Sequence, residues 1–362
     1  MRKNNDINFM HHALALAQKG AGQVSPNPLV GCVLVKNGKI IAEGFHKKFG
    51  GDHAEIVALK TLKSKRAAAD VKGATLYVTL EPCHHFGKTP PCVDAVIKSG
   101  VSRVVIAIPD PNPKTAGNSI AKMQRAGIAV RVGVCAKEAR DMNRAFIKHI
   151  TTGLPYVIVK VAQSQDGMIS TQKGKQGWIT GPEAKKYVQR LRRDVDAVLV
   201  GRGTAEIDNP RLTVRRAKAM QPRRVILDSD LNVSLQSKLF NTLGGQVVLI
   251  CSDKTARVKI RRFEKAGIVV LPVKKKRAGL DLHQSLKKLG QIGIASILVE
   301  GGAEVFTSFL KSKLADEWQI ITAPKIVGIH GQPAFLQGLG LPKLKFKFKC
   351  ELGSDQLRLI GG

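Results

Sequence analysis

The sequence predicts two consecutive α/β domains in one chain. Three observations carry that expectation. At 362 residues the chain is long enough for two separate cores. Buried-strand patterns alternate with helical ones along the whole length. A run of breakers, Thr151-Thr152-Gly153-Leu154-Pro155, interrupts the alternation. Domains are therefore expected over 1–150 and 151–362.

In the first half, Phe9, Ala13, Leu16 and Ala17 fall at helical spacing, with Asp6 as N-cap and Gly20 as stop. His11 and His12 lie on that helix as surface residues. Ser25-Pro26-Asn27-Pro28 is a loop, and 29–35 with 40–44 read as a hairpin turning at Asn37-Gly38. A helix over 54–65 places His53 and Glu55 at its N-terminus. The strand 74–80 delivers Glu81-Pro82-Cys83 at its carboxyl end. Pro90-Pro91 opens a helix to about Lys98, so Cys92 sits where the helix dipole favours a thiolate. A strand (103–107), the loop Asp110-Pro111-Asn112-Pro113, a helix (119–126), a strand near Val130 and a helix (140–148) complete the half. Such an order gives a sheet with helices on both faces and ligands outside the strand ends.

The second half reads as strands over 156–162, 197–200, 225–227, 247–250, 268–271 and 297–299. Helices over 181–193, 255–266, 282–289 and 303–311 lie between them.

Composition is that of a globular protein, 43% hydrophobic and 24% charged. No apolar run is long enough to span a membrane, and the N-terminal stretch lacks the apolar centre of a signal peptide. The six cysteines (Cys32, Cys83, Cys92, Cys135, Cys251, Cys350) have no framework spacing and read as reduced thiols. A cytoplasmic homo-oligomer without a membrane partner is expected. The net charge of +32 is spread over both halves and attracts anions. Only Lys274-Lys275-Lys276-Arg277 is dense, and it reads as a surface loop, so a nucleic-acid partner is not expected.

Chemistry concentrates between Gly51 and Cys92. His53-Ala54-Glu55 followed by Pro82-Cys83 and Cys92 supplies one imidazole, two thiols and a nearby carboxylate. These are the parts of a zinc deaminase, in which three protein ligands leave one position for water and a non-ligand glutamate moves protons. That signature separates its cysteines by two residues; here eight intervene. The longer insertion carries His85 and Lys88, a donor and a cation for a substrate. His84 and His85 are further imidazoles, and a fourth protein ligand would make the site structural instead. In the second half no Gly-x-Gly-x-x-Gly follows a strand. Glu300-Gly301-Gly302, between a strand and a helix, is either an anion-binding turn or an ordinary one.

In combination, Pro26-Asn27-Pro28-Leu29-Val30-Gly31, His53-Ala54-Glu55, Glu81-Pro82-Cys83 through Pro90-Pro91-Cys92, and Asp110-Pro111-Asn112-Pro113 resemble the bifunctional deaminase–reductases of riboflavin biosynthesis. In the second half the matching pieces are 160–167, Trp178-Ile179-Thr180-Gly181, 201–204, 208–213 and 299–303. The resemblance implies a cytidine-deaminase-like three-layer α/β/α domain followed by a dihydrofolate-reductase-like α/β domain. It implies zinc-dependent deamination of 2,5-diamino-6-(5-phosphoribosylamino)pyrimidin-4-one, then NADPH-dependent reduction of the ribosyl group to ribityl. One zinc would be held by His53, Cys83 and Cys92, with Glu55 as proton shuttle. Asn27, His46, His85, Lys88, Asp110 and Asn112 would bind the substrate of the deaminase. Lys160, Arg192, Leu212, Arg215 and Glu300 would lie at the substrate of the reductase. Ala162, Trp178, Thr204, Asp208 and Gly302 would lie at NADPH, with Lys160 and Asp208 required for reduction.

The chain departs from the usual pattern in the polar loop 114–119, and in Asn209 and Gln176, where an acid and a serine are more usual. Two other readings share part of these signals: a zinc deaminase of nucleic-acid bases, and a non-catalytic protein with a structural zinc. The first gives the second domain no purpose; the second requires a closed site built with His84 or His85.

Overall fold

The computed structural model describes residues 2–64, 71–84, 90–113, 115–173, 177–215, 220–277, 279–336 and 346–361. The chain divides into two compact units, Met1–Gly153 and Leu154–Gly362.

The first unit runs α1 (Arg2–Gln18), β1 (Gly31–Lys36), β2 (Lys39–Phe45), α2 (Ala54–Ser64), β3 (Thr75–Leu80), α3 (Cys92–Ser99), β4 (Arg103–Ile108), α4 (Asn118–Arg125), β5 (Ala129–Val132), α5 (Ala136–Met142) and α6 (Arg144–Thr152). Its sheet has the order β2-β1-β3-β4-β5, with β1 antiparallel to both neighbours and β3, β4 and β5 parallel. β2, β3 and β4 therefore all end at the same edge. The hairpin turns at Asn37 and Gly38, both at positive φ (50° and 74°), as its twist requires. α1 and α5 cover one face; α2, α3 and α4 cover the other. Gly44 makes the second contact possible, because a Cβ there would stand 2.4 Å from the Ala54 carbonyl oxygen. Only glycine lets the first turn of α2 dock on β2.

Two expectations are corrected here. Asp6 is not a cap, because α1 begins at Arg2. The carboxylate is 2% exposed and accepts hydrogen bonds from Tyr77 Oη (2.8 Å), Arg103 Nη1 and Nη2 (2.9 and 2.7 Å) and Arg131. Tertiary charge pairing has overridden a local capping preference. The helix expected over 140–148 is two helices, broken at Asn143, whose amide pairs with both backbone groups of Leu29 (2.8 and 3.0 Å).

The second unit begins with β6 (Tyr156–Gln163), β7 (Met168–Ser170), α7 (Pro182–Asp194), β8 (Ala197–Gly201), α8 (Arg202–Ile207), β9 (Arg223–Leu227), β10 (Val247–Ser252), α9 (Arg257–Lys265) and β11 (Val269–Val273). It continues through β12 (Lys275–Lys276), β13 (Gly279–Leu280), α10 (Leu282–Gln291), β14 (Ser296–Gly301), α11 (Ala303–Ser312), β15 (Glu317–Thr322), β16 (Gln332–Pro333), β17 (Phe346–Leu352) and β18 (Asp355–Gly361). Nine strands form one sheet, β11-β10-β9-β8-β14-β6-β15-β18-β17, parallel as far as β15 and antiparallel at the last two. β15, β17 and β18 were not expected from the sequence. Lys275 and Lys276, expected in a surface loop, form one arm of a short ribbon with β13. Among the described residues no helix is long and apolar enough to cross a membrane.

The Asp6 node yields a pH prediction. Arg103 leads the groups that hold its carboxyl down, from 3.8 to about 2, against the cost of burial. A depressed carboxyl stabilises the fold above its unfolded value and loses that contribution as pH falls from 3.8 to about 2. Asp6→Asn should cost about 2 kcal/mol near neutral pH, the scale of hydrogen bonds to charged groups. Chemical denaturation at several pH values should show the gap from wild type closing below pH 4.

Candidate active sites

In the first unit, three segments end at one point. His53 immediately precedes α2, Cys83 follows β3, and Cys92 opens α3. His53 Nδ1 lies 3.1 Å from Cys92 Sγ and 3.5 Å from Cys83 Sγ, and the Cys92 amide donates to Cys83 Sγ at 3.2 Å. One nitrogen and two sulfurs within 4.8 Å of one another are a donor set and spacing that suit zinc. The Cys92 thiol, His53 and the Cys92 amide together pull the Cys83 thiol down to about 4, giving a thiolate for a cation. His84 is not a member of this cluster; His85 lies outside the described residues.

Glu55, in the first turn of α2, is 3% exposed. Burial, with the charge of Cys83 adding to it, pushes its carboxyl up to about 7. A carboxyl near neutrality can both accept and return a proton.

Around this cluster, His46 follows β2 and is 2% exposed. Its Nδ1 faces the Asp52 carbonyl oxygen at 2.9 Å, which only accepts, so Nδ1 carries the proton. Nε2 is then an acceptor, and Asn27 Nδ2 donates to it at 3.2 Å. Burial, the largest influence, lowers the pKa of His46 and keeps this ring neutral. The His46 and His53 rings meet edge to face at 5.5 Å. Asp110 and Asn112 lie in the loop after β4, at the same edge of the sheet. Within that loop Asp110 Oδ1 accepts from the Asn112 amide (2.9 Å) and Oδ2 from Thr115 Oγ1 (2.5 Å). Lys88 lies outside the described residues.

In the second unit, Lys160, Ala162, Trp178, Arg192 and Thr204 line one cleft of about 1880 Å³, together with Asp208, Leu212, Arg215, Glu300 and Gly302. Its centre is a buried charge cluster. Arg192 grips Glu300 with Nε and Nη2 (2.6 and 2.9 Å), and Lys160 Nζ stands 3.6 Å from the same carboxylate. Burial alone would raise the carboxyl of Glu300, but the two cations outweigh it and hold it at about 2. Arg192 Nη1 also donates to the Thr213 carbonyl (3.2 Å), fixing the loop that carries Leu212. Leu212 is buried at a φ of 52°, a strained conformation of the kind that gathers at ligand sites. Asp208 is raised by burial and partly lowered again by Lys160.

Gly302, at φ 88°, caps α11; a Cβ there would meet Thr204 Oγ1 at 2.9 Å. Glycine at the start of a ten-residue helix exposes backbone N–H groups to an anion. Trp178 is 60% exposed at the rim, with Lys185 Nζ 4.3 Å above its ring. Asn209 adopts a φ of 41°, which suits asparagine, and its Oδ1 accepts from the Lys238 amide (2.7 Å). Gln176 is outside the described residues. The sequence does not single out Thr115 or Lys185, whose partners Asp110 and Trp178 are near in the chain, nor the carboxylate of Glu81, whose partners lie on another segment.

Comparison with known proteins matches both halves. Residues 155–357 match the family model of the RibD C-terminal domain, and residues 3–108 match the cytidine and deoxycytidylate deaminase zinc-binding region. The riboflavin biosynthesis protein RibD of Aquifex aeolicus is 46% identical over 329 residues, covering 91% of this chain and 89% of the relative. A solved structure of Acinetobacter baumannii RibD superposes with a TM-score of 0.89 at 36% identity, covering 99% of each chain. The diaminohydroxyphosphoribosylaminopyrimidine deaminase/5-amino-6-(5-phosphoribosylamino)uracil reductase of Thermotoga maritima gives 0.88 at 37%, covering 100% of this chain and 99% of that one. Similarity at this level, in both halves and in this order, makes the chain a member of the RibD family of riboflavin biosynthesis proteins, a bifunctional deaminase and reductase.

Proposed function

We propose that the first unit deaminates 2,5-diamino-6-(5-phosphoribosylamino)pyrimidin-4-one with zinc, and that the second reduces the product with NADPH. The observation that carries the first half is the convergence of His53 Nδ1, Cys83 Sγ and Cys92 Sγ beside a buried Glu55. Zinc bound there supplies a Lewis acid that makes water nucleophilic near neutral pH. Glu55 takes the proton of the attacking water and returns it to the departing amine, a role its raised carboxyl suits. Neutral His46 orients Asn27 toward the pyrimidine, while Asp110 and Asn112, with His85 and Lys88, hold the rest of the ribotide.

In the second unit NADPH supplies the hydride. Gly302 and Thr204 would receive the anionic part of that cofactor, and Ala162, Trp178 and Asp208 would complete its site. Lys160 Nζ holds a proton for the sugar oxygen on which charge develops. Arg192 and Glu300 keep Lys160 in place, and Leu212 and Arg215 border the substrate.

The two halves should fail independently. Glu55→Gln should lower ammonia release by about 10³-fold, the scale of general acid–base catalysis. Reduction of the already deaminated ribotide should stay within about twofold of wild type, because nothing in that site has changed. Gly302→Ala should do the reverse, raising the KM for NADPH while ammonia release continues. Removing the metal with a chelator should stop ammonia release and spare NADPH oxidation on the already deaminated ribotide, and added zinc should restore ammonia release. Loss of both activities in any one of these experiments would contradict the assignment of roles.

A further inference from the structure

We infer that Glu81 is a positioning residue of the deaminase, whose buried carboxylate fixes the loop carrying Asp110 and Asn112. Glu81 follows β3, two residues before Cys83, and is 4% exposed. Its own amide donates to the Ile108 carbonyl (3.0 Å), anchoring it to the end of β4. Its side chain accepts four backbone N–H groups from a neighbouring segment. Oε2 receives those of Asp110 and Gly117, both at 3.0 Å. Oε1 receives those of Ser119 and Ile120, at 3.1 and 3.3 Å. One oxygen thus closes the loop between its two ends, and the other holds the first turn of α4.

That turn has no cap of its own. Its N-cap position is Gly117, at φ 78° with no side chain to accept a hydrogen bond. Orphan N–H groups at a helix start need an acceptor, and here it comes from the segment that follows β3. Inside the loop the Asp110 carboxylate accepts from the Asn112 amide and Thr115 Oγ1, so the inner layer rests on the outer one. All four contacts need oxygen acceptors. Glutamine has the same size but turns one oxygen into an NH2 group, which would face two backbone donors with a donor of its own. The metal ligands and Glu55 are untouched by that change, so the effect should fall on substrate grip.

The inference rests on the proposed contact of Asp110 and Asn112 with the ribotide. It is tested on the full-length, zinc-loaded protein with Glu81→Gln and Asn112→Ala side by side. Glu81→Gln should raise the KM for the ribotide about tenfold, the scale of losing one or two hydrogen bonds to a charged group. The kcat should stay within about threefold, as expected when uniform binding is lost. One zinc per chain should remain, and reduction of the deaminated ribotide should be unchanged. A KM within twofold of wild type would overturn the role, as would KM, kcat and zinc content failing together. If Asn112→Ala leaves KM unchanged, the substrate contact itself is wrong; if it raises KM and Glu81→Gln does not, only the positioning role falls. Should Glu81→Gln not fold, Glu81→Asp keeps both oxygens but draws them back by one methylene from the four amides, and should raise KM severalfold with zinc retained. An unchanged KM there overturns the inference.

Discussion

The approach of His53 Nδ1 to two cysteine sulfurs, at 3.1 and 3.5 Å, is possible only if three segments end together. β3 must deliver Cys83, α3 must start at Cys92, and α2 must dock with His53 just before its first turn. Each condition has a local cause. Leu76, Val78 and Leu80 bury β3 in the sheet. Pro91 stands at the N-cap of α3, where its missing N–H costs nothing. Gly44 admits the backbone of α2 to the surface of β2. Glu55 shares the turn that follows His53, so the geometry that assembles the ligands also buries the carboxyl and moves its protonation toward neutrality.

The second unit meets a similar problem with charge instead of metal ligands. A carboxylate at the end of β14 would be costly to bury alone. Arg192 reaches it from α7 with two parallel hydrogen bonds, and Lys160 stands beside it on the adjacent strand β6. The same pairing leaves a lysine of fixed position in a cleft, next to the glycine turn before α11. Both candidate sites lie outside the carboxyl ends of parallel strands, where side chains and helix starts converge without interrupting a ladder.

Much of this was legible in the sequence because the information is local. A His-x-Glu before a helix, a Pro-Cys after a strand and an Asn-Gly between two apolar runs each declare their own geometry. What was missed depends on distant partners. Asp6 has the residue type of a cap, yet its true partners Arg103 and Arg131 lie 97 and 125 positions away. Asn143 breaks a helix because Leu29, 114 positions earlier, offers two backbone partners. β15 carries Glu317 and Gln319 inside the fold, satisfied by each other and by Tyr156 and Tyr187, so it does not read as an apolar run. β17 alternates instead, with Cys350 and Leu352 packed inward and Lys349 and Glu351 exposed at the edge of the sheet. Glu81 could be read as part of a motif, but nothing local reveals that its partners are four amides beyond the next strand.

The central claim is that one chain performs two reactions in a fixed order, amine loss before reduction. It is tested most directly by following ammonia release and NADPH oxidation in one tube, from the zinc-loaded wild-type protein and the diaminopyrimidinone ribotide. The account predicts that ammonia appears without delay and that NADPH is consumed after a lag, reaching the same final amount. NADPH consumption that begins at once and precedes ammonia would contradict it.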